Sequence, residues 1–152
     1  MFLVDTCVLI NGFKEVSGAA QRIVRAMQTQ SGGELAITDF NLHELERRGE
    51  HKVVRKVKEA IASGKVRLYS IGVAPGDWAG ERVFERLIDP ALVRLVEDPS
   101  DAVLIAAAEK FHAEGVITQD RHHLYTSKLW GYLEEKRIKL FKPHEFAEAY
   151  LK

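Results

Sequence analysis

Apolar residues along this chain fall into short runs that are separated by longer amphipathic stretches. Five of these runs are predicted to be β-strands: residues 2–4, 35–37, 66–71, 115–117 and 138–141. Between them, residues 18–28 and residues 50–62 carry their apolar side chains on one helical face only. We therefore expect two amphipathic helices on the surface of the protein.

A further helix is predicted to begin at Asp98 and Pro99 and to extend through His112. Asp is a favoured N-cap residue, and Pro is favoured at the first helical position. The first half of this helix is apolar on almost every side, so we expect it to be buried. Upstream, three Gly and one Pro within residues 72–80 predict a loop, and a helical stretch follows that Pro90 breaks in two.

The alternation of strands and helices determines the fold class that we expect. Parallel neighbouring strands need a crossover connection, which is usually a helix. The sequence therefore predicts an α/β fold, with a central parallel five-stranded sheet and helices on both faces. Because 152 residues suit one hydrophobic core, we expect residues 1–152 to form a single domain.

Charge and composition exclude several classes of protein. The chain has 22 Lys and Arg residues and 22 Asp and Glu residues, so its formal net charge is zero. Proteins that hold nucleic acid through overall charge are strongly basic, so any nucleic-acid contact here is expected to be local. The single Cys7 cannot form an intramolecular disulfide, which favours a cytoplasmic location. No apolar run approaches the roughly 18 residues of a membrane-spanning helix, so we expect no membrane insertion.

Four acidic residues are candidates for a shared site. Asp5 ends the first predicted strand, and Asp120 follows the fourth. Glu44 lies in the helix that starts after the second strand, and Asp101 lies in the first turn of the buried helix. In sheets of this kind, ligands bind at the carboxyl ends of the strands. We therefore expect the four carboxylates to meet in one cleft.

Each acid also has a purely structural explanation. An Asp at a strand end is commonly a turn residue, Asp101 can complement the helix dipole, and Glu44 can pair with Arg47 or Arg48 at helical spacing. Three of the four acids, however, adjoin apolar residues that are expected to be buried, and burying an unpaired charge is costly. A hard cation such as Mg²⁺ or Mn²⁺ offsets that cost, because it prefers oxygen ligands.

Four short motifs carry these acids. They are Phe2-Leu3-Val4-Asp5-Thr6; Glu44-Leu45 with Arg48-Gly49; Ser100-Asp101-Ala102 with residues 104–108; and Thr118-Gln119-Asp120-Arg121-His122. In their order, intervals and flanking residues they resemble the motifs of PIN-domain nucleases, of the kind found in VapC toxins. The resemblance covers nearly the whole chain. Cys7, Gln119 and His122 stand where other residues are frequent in that family.

The resemblance implies metal-dependent cleavage of RNA phosphodiester bonds on a central parallel sheet. Asp5, Glu44, Asp101 and Asp120 would be both the catalytic residues and the ligands of one or two Mg²⁺ or Mn²⁺ ions. Thr6 and Thr118 are expected to be supporting residues that hydrogen-bond a carboxylate or a phosphate oxygen. The candidate RNA-binding residues are Arg48, Lys52, Arg55, Lys56 and His122. A solvated helix face is the alternative explanation for the first four of these.

The resemblance also implies partners and leaves two alternatives open. A toxin of this kind forms a homodimer and is held by a small antitoxin protein. The short chain, with no added zinc or RNA-binding module in its sequence, favours a toxin over a housekeeping RNA-processing nuclease. A catalytically silent PIN-like scaffold that binds RNA or protein is the second alternative. The presence of all four acids weighs against it.

Overall fold

The computed structural model describes residues 1–29, 34–72, 90–96, 99–119 and 127–151. Its strands are β1 (Phe2–Val4), β2 (Leu35–Thr38), β3 (Arg67–Tyr69), β4 (Gly115–Ile117) and β5 (Lys139–Phe141). Its helices are α1 (Thr6–Phe13), α2 (Gly18–Thr29), α3 (Asp39–Arg47), α4 (His51–Ala62), α5 (Pro90–Leu95), α6 (Pro99–Lys110), α7 (Ser127–Lys136) and α8 (Pro143–Tyr150).

The strands form one five-stranded sheet in the order β3-β2-β1-β4-β5, and every neighbouring pair is parallel. This confirms the predicted fold class. The chain builds outward from β1 to β2 and β3, and then crosses to the other side of β1 to add β4 and β5. The direction of winding therefore reverses between β1 and β4, and a crevice for ligands is expected at the carboxyl ends of these two strands.

Alternate residues of each strand face opposite sides of the sheet, because side chains along a strand have a period of two. One face carries Leu3, Ala36, Val116 and Leu140, which share a core with α5, α6 and α7. The other face carries Phe2, Val4, Leu35, Ile37 and Ile117, which share a second core with α1, α2, α4 and α8. Helices thus cover both faces, as predicted.

The buried helix α6 lies where the sequence predicts it, and every side chain over residues 101–108 is buried. It ends at Lys110 rather than at the predicted His112. His112 has φ 54° and its N–H donates to Glu109 O, so a turn replaces the last helical residues. The predicted N-cap residue Asp98 lies outside the described residues.

Strand bounds differ from the prediction most clearly at β3. The prediction covered residues 66–71, but the strand is limited to Arg67–Tyr69. The side chain of Asp39 accepts hydrogen bonds from the N–H groups of Ile71 and Gly72, so the chain after Tyr69 bonds to a side chain instead of to β2. The predicted loop beyond Gly72 and the helical stretch before Pro90 lie outside the described residues.

Three helices, α1, α7 and α8, were not predicted, and two of them, α1 and α8, pack on the face of the sheet that carries Phe2. Helix α1 starts directly after β1, with Asp5 as its N-cap residue. Helix α8 has Pro143 in its first turn, and Glu145 accepts a hydrogen bond from the N–H of Lys142. Phe146 of α8 packs edge-on against Phe2, with ring centroids 5.0 Å apart. Both helices cover the same face of the sheet.

No helix within the described ranges is both long enough and apolar enough to cross a membrane. The single-domain organisation over residues 1–152 stays a prediction.

Helices α1 and α2 approach each other most closely at Gly12. A Cβ atom at this position would lie 2.6 Å from both the carbonyl oxygen of Ala20 and Cγ1 of Val24. We expect Gly12→Ala to lower the free energy of unfolding by about 1–3 kcal/mol, because the helices must separate. Gly131→Ala, in an exposed part of α7 with open space around it, should raise it by about 0.4–1 kcal/mol. Urea denaturation measures both, and equal changes would contradict the close packing.

Candidate active site

The carboxyl ends of β1 and β4 are joined through Asp5 and Thr118. The N–H of Asp5 donates to the carbonyl oxygen of Ile117 at 2.9 Å. The hydroxyl Oγ1 of Thr118, which is fully buried, donates to Oδ2 of Asp5 at 2.6 Å. A short hydrogen bond to a carboxylate is a strong one. It fixes the orientation of the Asp5 side chain where the winding of the sheet reverses.

Asp5 also caps helix α1. Its backbone is extended, and its Oδ1 accepts a hydrogen bond from the N–H of Thr6 at 2.7 Å. This capping interaction is a purely structural role for Asp5. It does not exclude a role in a metal site, because each carboxylate oxygen has two lone pairs and can accept more than one partner.

Cys7 lies against the same carboxylate. Its Sγ donates to Oδ2 of Asp5 at 3.3 Å. Burial, followed by the negative charge of Asp5, raises the pKa of the Cys7 thiol to about 12. Because a thiol reacts as its thiolate, Cys7 is a hydrogen-bond donor rather than a nucleophile near neutral pH.

Glu44 is brought to this edge of the sheet by a chain of buried polar groups. Oγ1 of Thr6 donates to Oε1 of Glu44 at 3.1 Å and accepts from Nδ2 of Asn41 at 2.9 Å. Oδ1 of Asn41 in turn accepts from the N–H and the hydroxyl of Thr38, at 3.1 and 2.9 Å. Thr6 is thus hydrogen-bonded to both Asp5 and Glu44, through its backbone and its hydroxyl respectively.

Asp101 lies in the first turn of α6, and only 6% of its surface is exposed. Helix α6 packs against β1 and β4 and leads into β4. A crossover helix runs antiparallel to the strand that follows it, so the first turn of α6 lies toward the carboxyl ends of the strands. Asp120 lies outside the described residues, three positions beyond Ile117.

The chemistry of these donors suits a hard cation. Asp5, Glu44 and Asp101 offer only carboxylate oxygens, and the burial of Asp101 disfavours its charged form unless positive charge lies near it. Within the described part of the chain, no three His, Cys, Asp or Glu side chains form a group that could hold a metal ion. The structure therefore joins Asp5 and Glu44 through Thr6, and the four-carboxylate site stays a prediction.

Asp39 shows what a purely structural acid looks like in this fold. It follows β2 as Asp5 follows β1. Its two oxygens accept hydrogen bonds from the N–H groups of Phe40, Ile71 and Gly72 and from the hydroxyl of Ser70, at distances of 2.9–3.1 Å. Three of these partners lie just beyond β3, so Asp39 anchors the chain there.

The four basic candidates within the described residues are exposed: Arg48, Lys52, Arg55 and Lys56. Nη2 of Arg48 lies 3.9 Å from Oε2 of Glu44, which is the helical pairing expected as the structural alternative. Nζ of Lys56 lies 5.6 Å from the centroid of the Phe13 ring. His122 lies outside the described residues.

Asn41 is a residue of this site that the sequence analysis missed. Thr38 is the N-cap residue of α3 and Asn41 is its third helical residue. Each side chain bonds to the backbone N–H of the other, which is a capping box. That pattern could have identified the start of α3, but not the contact with Thr6. Asn11 was also missed; its Nδ2 donates to Oε1 of Gln119, just beyond β4.

Comparisons with known proteins bear on the family and the fold of this chain. A family model described as "PIN domain" matches residues 1–122. A solved structure described as a toxin–antitoxin complex from Klebsiella pneumoniae contains a chain that matches with a TM-score of 0.56 at 20% sequence identity. The match covers 95% of this chain and 99% of that chain, and at this identity it shows the fold alone. No match was found among curated proteins.

Replacing Thr6 tests the hydrogen-bond chain that orients Glu44. We expect Thr6→Val to lower the free energy of unfolding by about 1–3 kcal/mol, because Asn41 and Glu44 both lose a partner. Thr6→Ser keeps the hydroxyl and should lower it less. Equal losses in the two variants, measured by urea denaturation, would show that the hydroxyl contributes no more to stability than the methyl group does, which would contradict this prediction.

Proposed function

Because this chain belongs to the PIN domain family, we propose that it is a metal-dependent endoribonuclease that hydrolyses RNA phosphodiester bonds. PIN domains are generally nucleases. The observation that carries the proposal is the joining of Asp5 and Glu44 by Thr6 at the point where the winding of the sheet reverses. This is where folds of this class bind their ligands.

The proposed metal ligands are Asp5, Glu44, Asp101 and Asp120, and the proposed ion is Mg²⁺ or Mn²⁺. PIN nucleases generally use divalent metal ions. Such an ion lowers the pKa of a bound water and stabilises negative charge on the phosphate oxygens. The all-oxygen donor set favours these ions over Zn²⁺.

The other residues of the site position the carboxylates. Thr118 and Cys7 both donate to Oδ2 of Asp5, and Thr6 donates to Oε1 of Glu44. Rotation of either carboxylate would break these hydrogen bonds, so the oxygens are preorganised before substrate binds. Because Cys7 is held as a hydrogen-bond donor to Asp5, the attacking group in this proposal is a water molecule that the metal ion would activate.

We further propose that the protein is the toxin of a VapBC-type pair, that it acts as a homodimer in the cytoplasm, and that it has an antitoxin partner. Two observations support the toxin role: the likeness to a chain from a toxin–antitoxin complex, and the nearly complete coverage of both chains. A housekeeping RNA-processing role is the alternative within the nuclease class. The presence of an antitoxin gene beside this one would distinguish the two.

A catalytically silent PIN-like scaffold is the second candidate function. It is favoured by the capping role of Asp5, which accounts for one of the carboxylates without a metal ion. Such a scaffold would bind RNA or protein without cutting RNA.

Cleavage of end-labelled single-stranded RNA tests the proposal directly. We expect the wild type to cut with Mn²⁺ or Mg²⁺ but not with EDTA. Asp5→Asn should lower the rate by more than about 100-fold, since changes that only reorient a metal ligand already cost about 10- to 100-fold. Glu46→Gln is the matched control, because Glu46 is 43% exposed and lies on the same helix as Glu44.

Full activity in Asp5→Asn, or a large loss in Glu46→Gln, would show that the acids are wrongly assigned. No cutting by folded wild type across several RNAs would favour the silent scaffold.

Thermal unfolding tests the proposed ligand Asp101 without an activity assay. Millimolar Mn²⁺ should raise the Tm of the wild type, by an amount that corresponds to about 2.7 kcal/mol at 100 times the Kd. Asp101→Asn should reduce this rise, whereas Glu46→Gln should leave it unchanged. The comparison uses the shift on adding metal, so a change in basal stability does not affect it. Equal shifts in all three proteins would exclude Asp101 as a ligand.

A further inference from the structure

A cleft of about 420 Å³ lies between the end of α1 and the start of α4, outside the acidic site. Its lining residues are Phe13, Lys14, Gly49, Glu50, His51, Lys52, Val53 and Lys56. The lining thus combines one aromatic ring with three lysines and a histidine.

Positive charge dominates this cleft. Glu50 is the one acidic residue among those that line it, and its Oε1 lies 2.6 Å from Nζ of Lys14, so this pair is neutral. Lys52 and Lys56 remain as cations on the exposed face of α4. Since the whole chain has a formal net charge of zero, this local excess of cations makes the cleft attractive to an anion.

The Phe13 ring packs against the second core on one side and has a lysine ammonium group over it. Nζ of Lys56 lies 5.6 Å from its centroid, and the ring is only partly buried. A second cleft of about 110 Å³ shares Phe13 and Lys56 and is also lined by Arg25 and Gln28. Phe13 therefore stands between two clefts that offer cationic and hydrogen-bonding groups.

The cleft is connected to the acidic site by two helices. Helix α1 begins at Thr6, which bonds to Asp5 and Glu44, and ends at Phe13. At 1.5 Å per residue, these seven steps span about 10 Å. Helix α3 carries Glu44, and the turn after it, at Gly49 and Glu50, lines the cleft. The cleft and the carboxylates are thus separated by about the length of one short helix.

We propose that this cleft binds a nucleotide of single-stranded RNA that flanks the cleaved bond, with its base stacked on Phe13 in place of the Lys56 ammonium group, and its phosphate held by Lys52 and Lys56. Aromatic side chains interleaved with cations are the usual means of binding single-stranded nucleic acid. A base in a duplex cannot reach the ring, so the cleft selects unpaired RNA. This inference rests on the proposed nuclease function.

Binding of a short fluorescently labelled single-stranded RNA, measured by anisotropy in EDTA so that no cleavage occurs, tests the cleft. Phe13→Leu and Lys56→Gln should each raise Kd by roughly five- to thirty-fold. Phe13→Tyr keeps an aromatic ring, so its Kd should stay close to that of the wild type. Lys58→Gln is the matched control, because Lys58 is exposed on the same helix but lies near Glu46 and not in the cleft.

Two further measurements separate stacking from charge. Lys56→Gln should lower the slope of log Kd against log salt by about 0.7, the value for one phosphate contact on a single strand. A base-paired RNA competitor should displace the probe poorly. If Phe13→Leu does not fold, the Kd of Lys56→Gln and the competition by base-paired RNA still test the proposal.

Unchanged Kd in both Phe13→Leu and Lys56→Gln would overturn the cleft and leave the nuclease proposal standing, provided that the wild type cuts RNA with Mn²⁺. Equal competition by base-paired RNA would overturn stacking on Phe13. Failure of the wild type to bind the probe would also overturn the cleft, and the cleavage assay would then decide separately whether the nuclease proposal fails.

Discussion

The hydrogen bond from the Thr118 hydroxyl to the Asp5 carboxylate is the constraint on which the candidate site depends. It joins residues 113 positions apart in the chain, at the ends of the two strands between which the winding of the sheet reverses. Because Thr118 is fully buried, its hydroxyl must find a partner inside the protein, and the carboxylate supplies it. The site is therefore built on the same interaction that satisfies a buried polar group of the core.

Asp5 serves local structure and the proposed chemistry with the same side chain. One oxygen caps α1 and the other accepts from Thr118 and Cys7. Capping ties the carboxylate to the helix, and the helix is packed against α2 at Gly12. A rigid carboxylate loses little conformational freedom on binding a cation or substrate, which is the physical advantage of placing a ligand at a helix N-cap.

The distribution of charge suits the anionic substrate that we propose, although the chain has no net charge. Asp5 and Glu44 are joined at the edge of the sheet, while cations lie where α1 ends and α4 begins. Helix α1 spans the distance between the two regions. An RNA backbone that runs across the molecule would meet the lysines at the cleft. In the proposed nuclease it would also meet the metal ion that the carboxylates hold. Local charge distribution, and not the total, decides the attraction.

By itself, the sequence determined the fold class, because the spacing of apolar residues distinguishes five short strands from the amphipathic helices between them. Strands that alternate with helices in this way are typical of an α/β fold with a parallel sheet. It also placed Glu44 and Asp101 on the correct helices, and Asp5 at the end of β1, where the structure makes it the N-cap residue of the unpredicted helix α1. It did not predict α1, because this helix has only eight residues and its apolar residues 7–10 form one continuous run rather than a helical period. Only the tertiary structure decided that Asp39 anchors the chain beyond β3 while Thr6 binds Glu44. Hydrogen bonds between residues far apart in sequence depend on how helices pack on the sheet, and a pattern of residue types does not contain that geometry.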